Sequence, residues 1–264
     1  MPDPRNDANP AGSPYLTSHD DWQREIEGRP LERPSSDFPE LLDRCLPKDR
    51  TWSVLEVGAC PGAQLLAVAL SRGYHPVALD YLPAVRQMPA AFARFGVPDL
   101  EVIEADFLSY ETPRRFNVVM SFGFVEHFTE PEDVIRRHWD LVADGGFLVI
   151  GSPAFGALQL ALRRLILKPG PLAATLRTHN LRIMGTEPIV RALRGFPGAE
   201  IVCAAYAGRM GTWLAPRDRD VRRGRAWLLG VWYLLGRIPR WLKWSSPRFS
   251  PMCLVIARKT APAP

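Results

Sequence analysis

Short apolar runs alternate with amphipathic stretches through the middle of this chain. Trp52–Val57, His75–Leu79, Leu100–Ile103, Phe116–Met120 and Phe147–Ile150 are compact and rich in Val, Leu and Ile, which reads as strand. Between them, Ala63–Ser71, Leu82–Phe95 and Pro131–Val142 carry helical text, with Pro131 suited to a first turn. Strand and helix joined by short links are the sequence form of right-handed βαβ units, so the class is α/β, doubly wound about a parallel sheet. After Gly151 the rhythm changes. Residues 154–197 look helical, Glu200–Ala205 and Cys253–Ala257 are the last two strands, and Val221–Trp244 reads as an apolar helix or helix pair broken at Pro239. Ahead of the core, Asp20–Glu27 and Asp37–Leu46 predict two short helices. The expected organisation is a mobile tail over 1–18 and one domain over 19–264. That domain divides into N-terminal helices (19–50), a core (51–152), a helical insertion (153–198) and a lid or interface insertion (208–250).

Composition narrows the class. Hydrophobic residues at 47% and charged residues at 23% describe a globular chain of 264 residues, not a disordered one. The longest apolar run, Ala226–Leu235, is about half of what a membrane span requires. The start of the chain carries no charged-then-apolar leader, and Cys45, Cys60, Cys203 and Cys253 lack metal spacing, so the expectation is reduced thiols in a cytoplasmic protein. Net charge is +5, and Arg outnumbers Lys 29 to 4. Arg217, Arg219, Arg222, Arg223 and Arg225 form a local patch suited to phosphates, a membrane surface or an acidic substrate.

The chemistry concentrates at strand ends. Val54-Leu55-Glu56-Val57-Gly58-Ala59-Cys60-Pro61-Gly62 delivers an acid on a strand and then turns through small residues into a helix. Glycines at 58 and 62 let backbone approach a ligand, and the helix N-terminus offers free N–H groups. A dinucleotide fingerprint would need glycine where Cys60 and Ala63 stand. Asp80 ends the second strand, where a carboxylate can accept both hydroxyls of a ribose, and Tyr81 beside it can pack on a base. A third strand ends in Asp106-Phe107, and the fourth in Ser121-Phe122-Gly123-Phe124-Val125-Glu126-His127.

This set resembles the class I S-adenosylmethionine-dependent methyltransferases. Residues 54–62 are similar to their first motif, with Cys60 replacing its middle glycine; 121–127 resemble the S-x-x-(V/L)-E-H segment of the small-molecule subset that includes quinone enzymes; Asp144-Gly145-Gly146-Phe147-Leu148-Val149-Ile150 resembles the turn into the fifth strand. The resemblance spans 50–152 closely. It implies a Rossmann-like sheet of about seven strands, mostly parallel with an antiparallel last strand, plus helical lid insertions. It also implies S-adenosylmethionine as cofactor, with S-adenosylhomocysteine as product. Cofactor-binding candidates are Glu56, Gly58, Ala59, Cys60, Gly62, Asp80, Tyr81, Asp106, Phe107, Ser121, Phe122 and Gly123. The implied reaction is in-line methyl transfer to O, N or C of a small, hydrophobic or lipid-like acceptor.

His127 is the candidate proton acceptor, and His179, beside Asn180 in a segment that covers substrate in the family, is the second. Cys60 reads as a small filler, and His138 as a residue of an exposed helix face. No metal is expected, because Gly123 stands where RNA-terminus methyltransferases place a carboxylate ligand. Four tryptophans with flanking cations in 222–244 suit a lid, a dimer interface or peripheral contact with a membrane. Two other functions stay open. One is RNA methylation, suggested by pI 9.2 and the Gly-Ala-Cys-Pro-Gly turn, although no nucleic-acid motif follows the fourth strand; the other is a non-methylating reaction on the same cofactor fold. The chain is expected to act as a monomer or homodimer.

Overall fold

The apolar runs form strands β1 (Ser53–Val57), β2 (His75–Asp80), β3 (Glu101–Glu104), β4 (Phe116–Phe122) and β5 (Val142–Pro153), followed by β6 (Ala199–Ala207) and β7 (Met252–Lys259). The computed structural model describes residues 12–27, 29–207, 220–225, 227, 228, 230, 231, 234 and 245–260. The strands join in one sheet of order β3-β2-β1-β4-β5-β7-β6. Strands β1 to β5 pair in parallel, and β7 runs antiparallel to both of its neighbours. The strand order reverses between β1 and β4, which opens a crevice at their carboxyl ends.

Alternation along the strands sends side chains to two cores. Val54, Met120, Val149 and Leu254 face α2 (Pro39–Cys45), α3 (Ala63–Arg72) and α4 (Met88–Ala93), packing with Leu42, Leu66 and Phe92. Leu55, Val119, Leu148 and Val255 face α5 (Pro131–Asp140) and α8 (Thr186–Arg194), packing with Ile135 and Leu193. Between β5 and α8 lie α6 (Ala157–Ile166) and α7 (Pro169–Arg177). The Leu82–Phe95 stretch is not one helix. A 3-10 turn over Pro83–Gln87 precedes α4, because Pro89 in the first turn of α4 supplies no N–H to continue the ladder.

Residues 13–18, expected within a mobile tail, are pinned to the core. Leu16 N–H donates to the His127 carbonyl at 2.7 Å, Thr129 N–H donates to the Pro14 carbonyl at 2.9 Å, and Tyr15 bridges to Phe128. They lead into α1 (His19–Ile26), capped by Ser18, whose side chain accepts from Asp21 N–H. Among the described residues no helix is long and apolar enough to cross a membrane. Arg217, Arg219 and most of the 208–250 insertion lie outside the described residues, while Arg222 N–H donates to the Ile166 carbonyl at the end of α6.

Candidate active site

The turn after β1 is built for close approach. Gly58 has φ +67, and a Cβ there would lie 2.6 Å from Cδ2 of Phe124, so the turn packs directly on the segment that follows β4. The N–H of Gly58 donates to the Leu79 carbonyl at 2.9 Å, and Ala59 N–H reaches the same oxygen at 3.3 Å. Asp80 completes the clamp: Oδ2 accepts from Cys60 N–H at 3.0 Å, and Oδ1 accepts from Leu82 N–H at 2.9 Å. A carboxylate offers about four acceptor positions, so Asp80 keeps capacity for a ligand. Burial raises its pKa above the ordinary carboxylate range. Glu56 lies beneath the turn, accepting from Leu65 N–H in the first turn of α3, with Oε2 sealed from solvent and unpartnered; burial holds this carboxyl well above its usual pKa.

A cavity opens between this turn, the ends of β2, β3 and β4, and the N-terminal segment. Gly58, Cys60, Asp80, Tyr81, Asp106, Phe107, Phe122, Gly123 and His127 line it, as the sequence suggests. Glu56, Ala59, Gly62, Ser121 and His179 do not reach its wall. Gly62, at φ +97, instead caps α3 against Met88 and Phe92, and Ser121 is fully buried in β4. Cys60 behaves as a filler. Burial and the Asp80 charge push its thiol pKa far up, which keeps it an unreactive thiol.

Sequence reasoning missed the lining from the chain's start. Tyr15, Trp22 and Ile26 form one wall, and Phe124 and Phe128 extend the aromatic surface. Tyr15 donates its hydroxyl to Asp106, and His19 stacks on Tyr81 with centroids 4.0 Å apart. The available signal was the pair Tyr15 and Trp22, two large aromatics in otherwise polar text. Two carboxylates at successive strand ends, a positive-φ turn and an aromatic wall fit a nucleoside-bearing cationic cofactor.

His127 sits where the cavity meets α7. Its Nδ1 lies 2.8 Å from the Thr178 carbonyl, an acceptor only, so Nδ1 carries the proton and Nε2 carries the lone pair. Thr17 Oγ1 is also 2.8 Å from Nδ1. The Nε2 atom has no hydrogen-bond partner and stands 3.8 Å from Glu126 Oε1. Burial lowers the His127 pKa to about 3, and nearby His179 lowers it further in the same direction. Burial raises Glu126 to about 8, so at neutral pH the pair is an imidazole beside a carboxylic acid. The His179 ring lies 4.5 Å from the His127 ring, and its Nδ1 donates to the Thr175 carbonyl at 2.8 Å. His138 is not exposed on α5. It is wholly buried, packed on Phe107 and Phe124, with its pKa lowered by burial to about 4.

Fold and site together define a class I, Rossmann-like methyltransferase architecture. A family model described as a methyltransferase domain matches residues 30–194, and the chain belongs to that family. S-adenosylmethionine is its methyl donor. The chain is similar to the ubiquinone biosynthesis O-methyltransferase of Leptothrix cholodnii, 27% identical over 138 residues that span 51% of this chain and 58% of that protein. The corresponding protein of Pseudomonas paraeruginosa is 30% identical over 193 residues, spanning 63% of this chain and 79% of the relative. Among solved structures, N-methyltransferase NodS from Bradyrhizobium japonicum, in complex with S-adenosyl-L-homocysteine, shares the fold at 16% identity and TM-score 0.54, covering 94% of this chain and 95% of that one. Coclaurine N-methyltransferase does so at 12% identity and TM-score 0.56, covering 93% and 82%.

Proposed function

We propose that this protein transfers a methyl group to a hydroxyl on a small aromatic acceptor, with His127 as the base. The observation that carries this reading is the state of His127: its Nδ1–H is committed to the Thr178 carbonyl, which leaves Nε2 as a lone-pair nitrogen on a residue of the cavity wall. Asp80 would hold the ribose of the cofactor, and Asp106 and Tyr81 its base. When bound, S-adenosylmethionine supplies an electrophilic methyl carbon. The protein's part is to hold the acceptor in line and exclude water, which the walls of Trp22, Ile26, Phe124 and Phe128 do. His127 Nε2 would take the acceptor's hydroxyl proton as that oxygen gives a lone pair to the methyl carbon, whose bond to the donor's sulfur breaks with the electron pair passing to sulfur. The imidazolium formed there draws the Glu126 pKa down, because a cation 3.8 Å away favours the carboxylate. The names of the curated relatives support an oxygen acceptor.

His127→Asn tests this. Turnover of a catechol acceptor should fall by about 10²- to 10⁴-fold, the ordinary worth of a positioned base. Affinity for S-adenosylhomocysteine should hold in the same titration. A variant at full rate would remove His127 from the chemistry and leave it a structural residue.

A further inference from the structure

Helix α6 turns Gln159, Arg163 and Ile166 inward and leaves Leu158 and Leu165 exposed. An arginine on the buried face of an amphipathic helix is expected to find a carboxylate. Arg163 does not. It is 8% exposed, its Nε is sealed from solvent without a hydrogen-bond partner, and among the described residues its side chain makes no ion pair or hydrogen bond. Burial alone lowers its pKa, to about 10, with no opposing contribution from an acid. The guanidinium stands over the ring of Phe155, 4.4 Å from its centroid, so its hydrogen-bonding edge is what remains to be used. Phe155 lies 5.7 Å from His179, which lies 4.5 Å from His127. The charge of Arg163 is near enough to help depress the His179 pKa.

We propose that Arg163 binds an anionic group, a carboxylate, carried on an arm of the methyl acceptor, so that the protein selects acidic acceptors over neutral ones. The proposal rests on the reading of His127 as the base for the same acceptor. The acceptor's hydroxyl lies at His127 and its acid lies beyond His179 and Phe155, where the fork of Arg163 meets two carboxylate oxygens. The rings of His179 and Phe155 stand in succession between His127 and Arg163, and in this proposal the arm packs against them. His179 is not placed to take the hydroxyl proton, since its ring stands behind His127 and outside the cavity wall.

The test is a titration of the full chain, loaded with S-adenosylhomocysteine, with caffeate (a catechol bearing a carboxylate on a short arm) and with its carboxamide. The acid should bind at least about tenfold more tightly than the amide, as a bidentate charged pair provides. Arg163→Met should erase that difference, and Arg163→Lys, which keeps the charge but not the fork, should retain part of it. Arg163→Met should also melt no lower than the parent, because it removes a buried charge without a partner. Equal binding of acid and amide, binding of neither, or a preference that survives Arg163→Met overturns the proposal. So does inorganic phosphate competing as well as caffeate, which would make this a site for a detached anion. If Arg163→Met fails to fold, the Arg163→Lys variant and the parent's acid-to-amide ratio decide. Methyl transfer to catechol without acid preference leaves the His127 reading standing; acid preference without any methyl transfer removes that reading and keeps the anion site.

Discussion

Asp80 shows how one carboxylate serves both fold and site. Its two oxygens hold the backbone of the glycine turn and of the segment after β2, so Asp80→Ala removes two charged hydrogen bonds at a cost of about 1–3 kcal/mol. The same change should weaken S-adenosylhomocysteine by more than about tenfold. Denaturant unfolding and calorimetry measure the two effects separately, and unchanged affinity would remove Asp80 from the cofactor site. His127 yields a second expectation at this scale. Its pKa of about 3 keeps it uncharged through the acid range, so the pH profile of kcat/KM should show no limb near 6.5. A limb at that pH would mean that His127 titrates as a solvent-exposed histidine. Asp80, Gly58 and His127 were all legible in the sequence, because strand ends and glycine turns advertise themselves in local text. Arg163 was not, since its significance lies in a partner that its side chain lacks among the described residues, and a sequence does not report missing partners.

At the scale of elements, the N-terminal segment and α1 act as a cover. Tyr15 reaches Asp106, Thr17 reaches the Thr178 carbonyl at 3.2 Å, and Trp22 sets its ring edge-on to His127 at 4.7 Å. These contacts join the first described residues to β3, to the loop after β4 and to the end of α7. Tyr15→Phe deletes the donor to Asp106 without changing shape, so amides of α1 should exchange with solvent about fivefold faster while those of β1 are unaffected. Equal exchange in both proteins would show that the cover is held by packing alone. Proline-rich polar text gave no periodicity from which to expect this docking, since each contact is made across the fold to a residue more than ninety positions away. The break in Leu82–Phe95 had a visible cause in Pro89, whereas α7 begins in Pro-Gly-Pro text that argues locally against a helix.

Across the whole molecule, burial of titratable groups on the α5 side links stability to pH. His138 has a folded pKa of about 4 against an ordinary 6.5, so the unfolded chain binds its proton first and stability falls as pH drops from 6.5 to 4. His127 acts in the same direction. Glu126 is opposite: raised from 4.5 to about 8, it favours the folded state at low pH, and that contribution is lost as pH rises through this interval. His138→Gln should therefore flatten the acid-side loss by about 1.4 kcal/mol per pH unit relative to the parent, one proton's worth. Urea unfolding of both proteins at several pH values measures this, and parallel curves would show that His138 is charged in the folded state. Burial of His138 was invisible in sequence, where its place in a charged stretch of α5 suggested exposure; contact with Phe107 and Phe124 arises only when the segments that follow β3 and β4 meet against α5.

By itself the sequence determined the α/β class, the order of strands and helices, the glycine turn and the carboxylates that end β2 and β3. All of these follow from local rules: apolar run length, turn chemistry, and the geometry of a strand feeding a helix. Only the tertiary structure decided which of those residues face the cavity, that the N-terminal segment closes over it, and that His127 lines it with Nε2 buried and unpartnered. It also decided that Arg163 is buried with no acid against it among the described residues. Those facts depend on which side chains meet across the sheet and its loops, and such meetings are set by packing among segments distant in sequence.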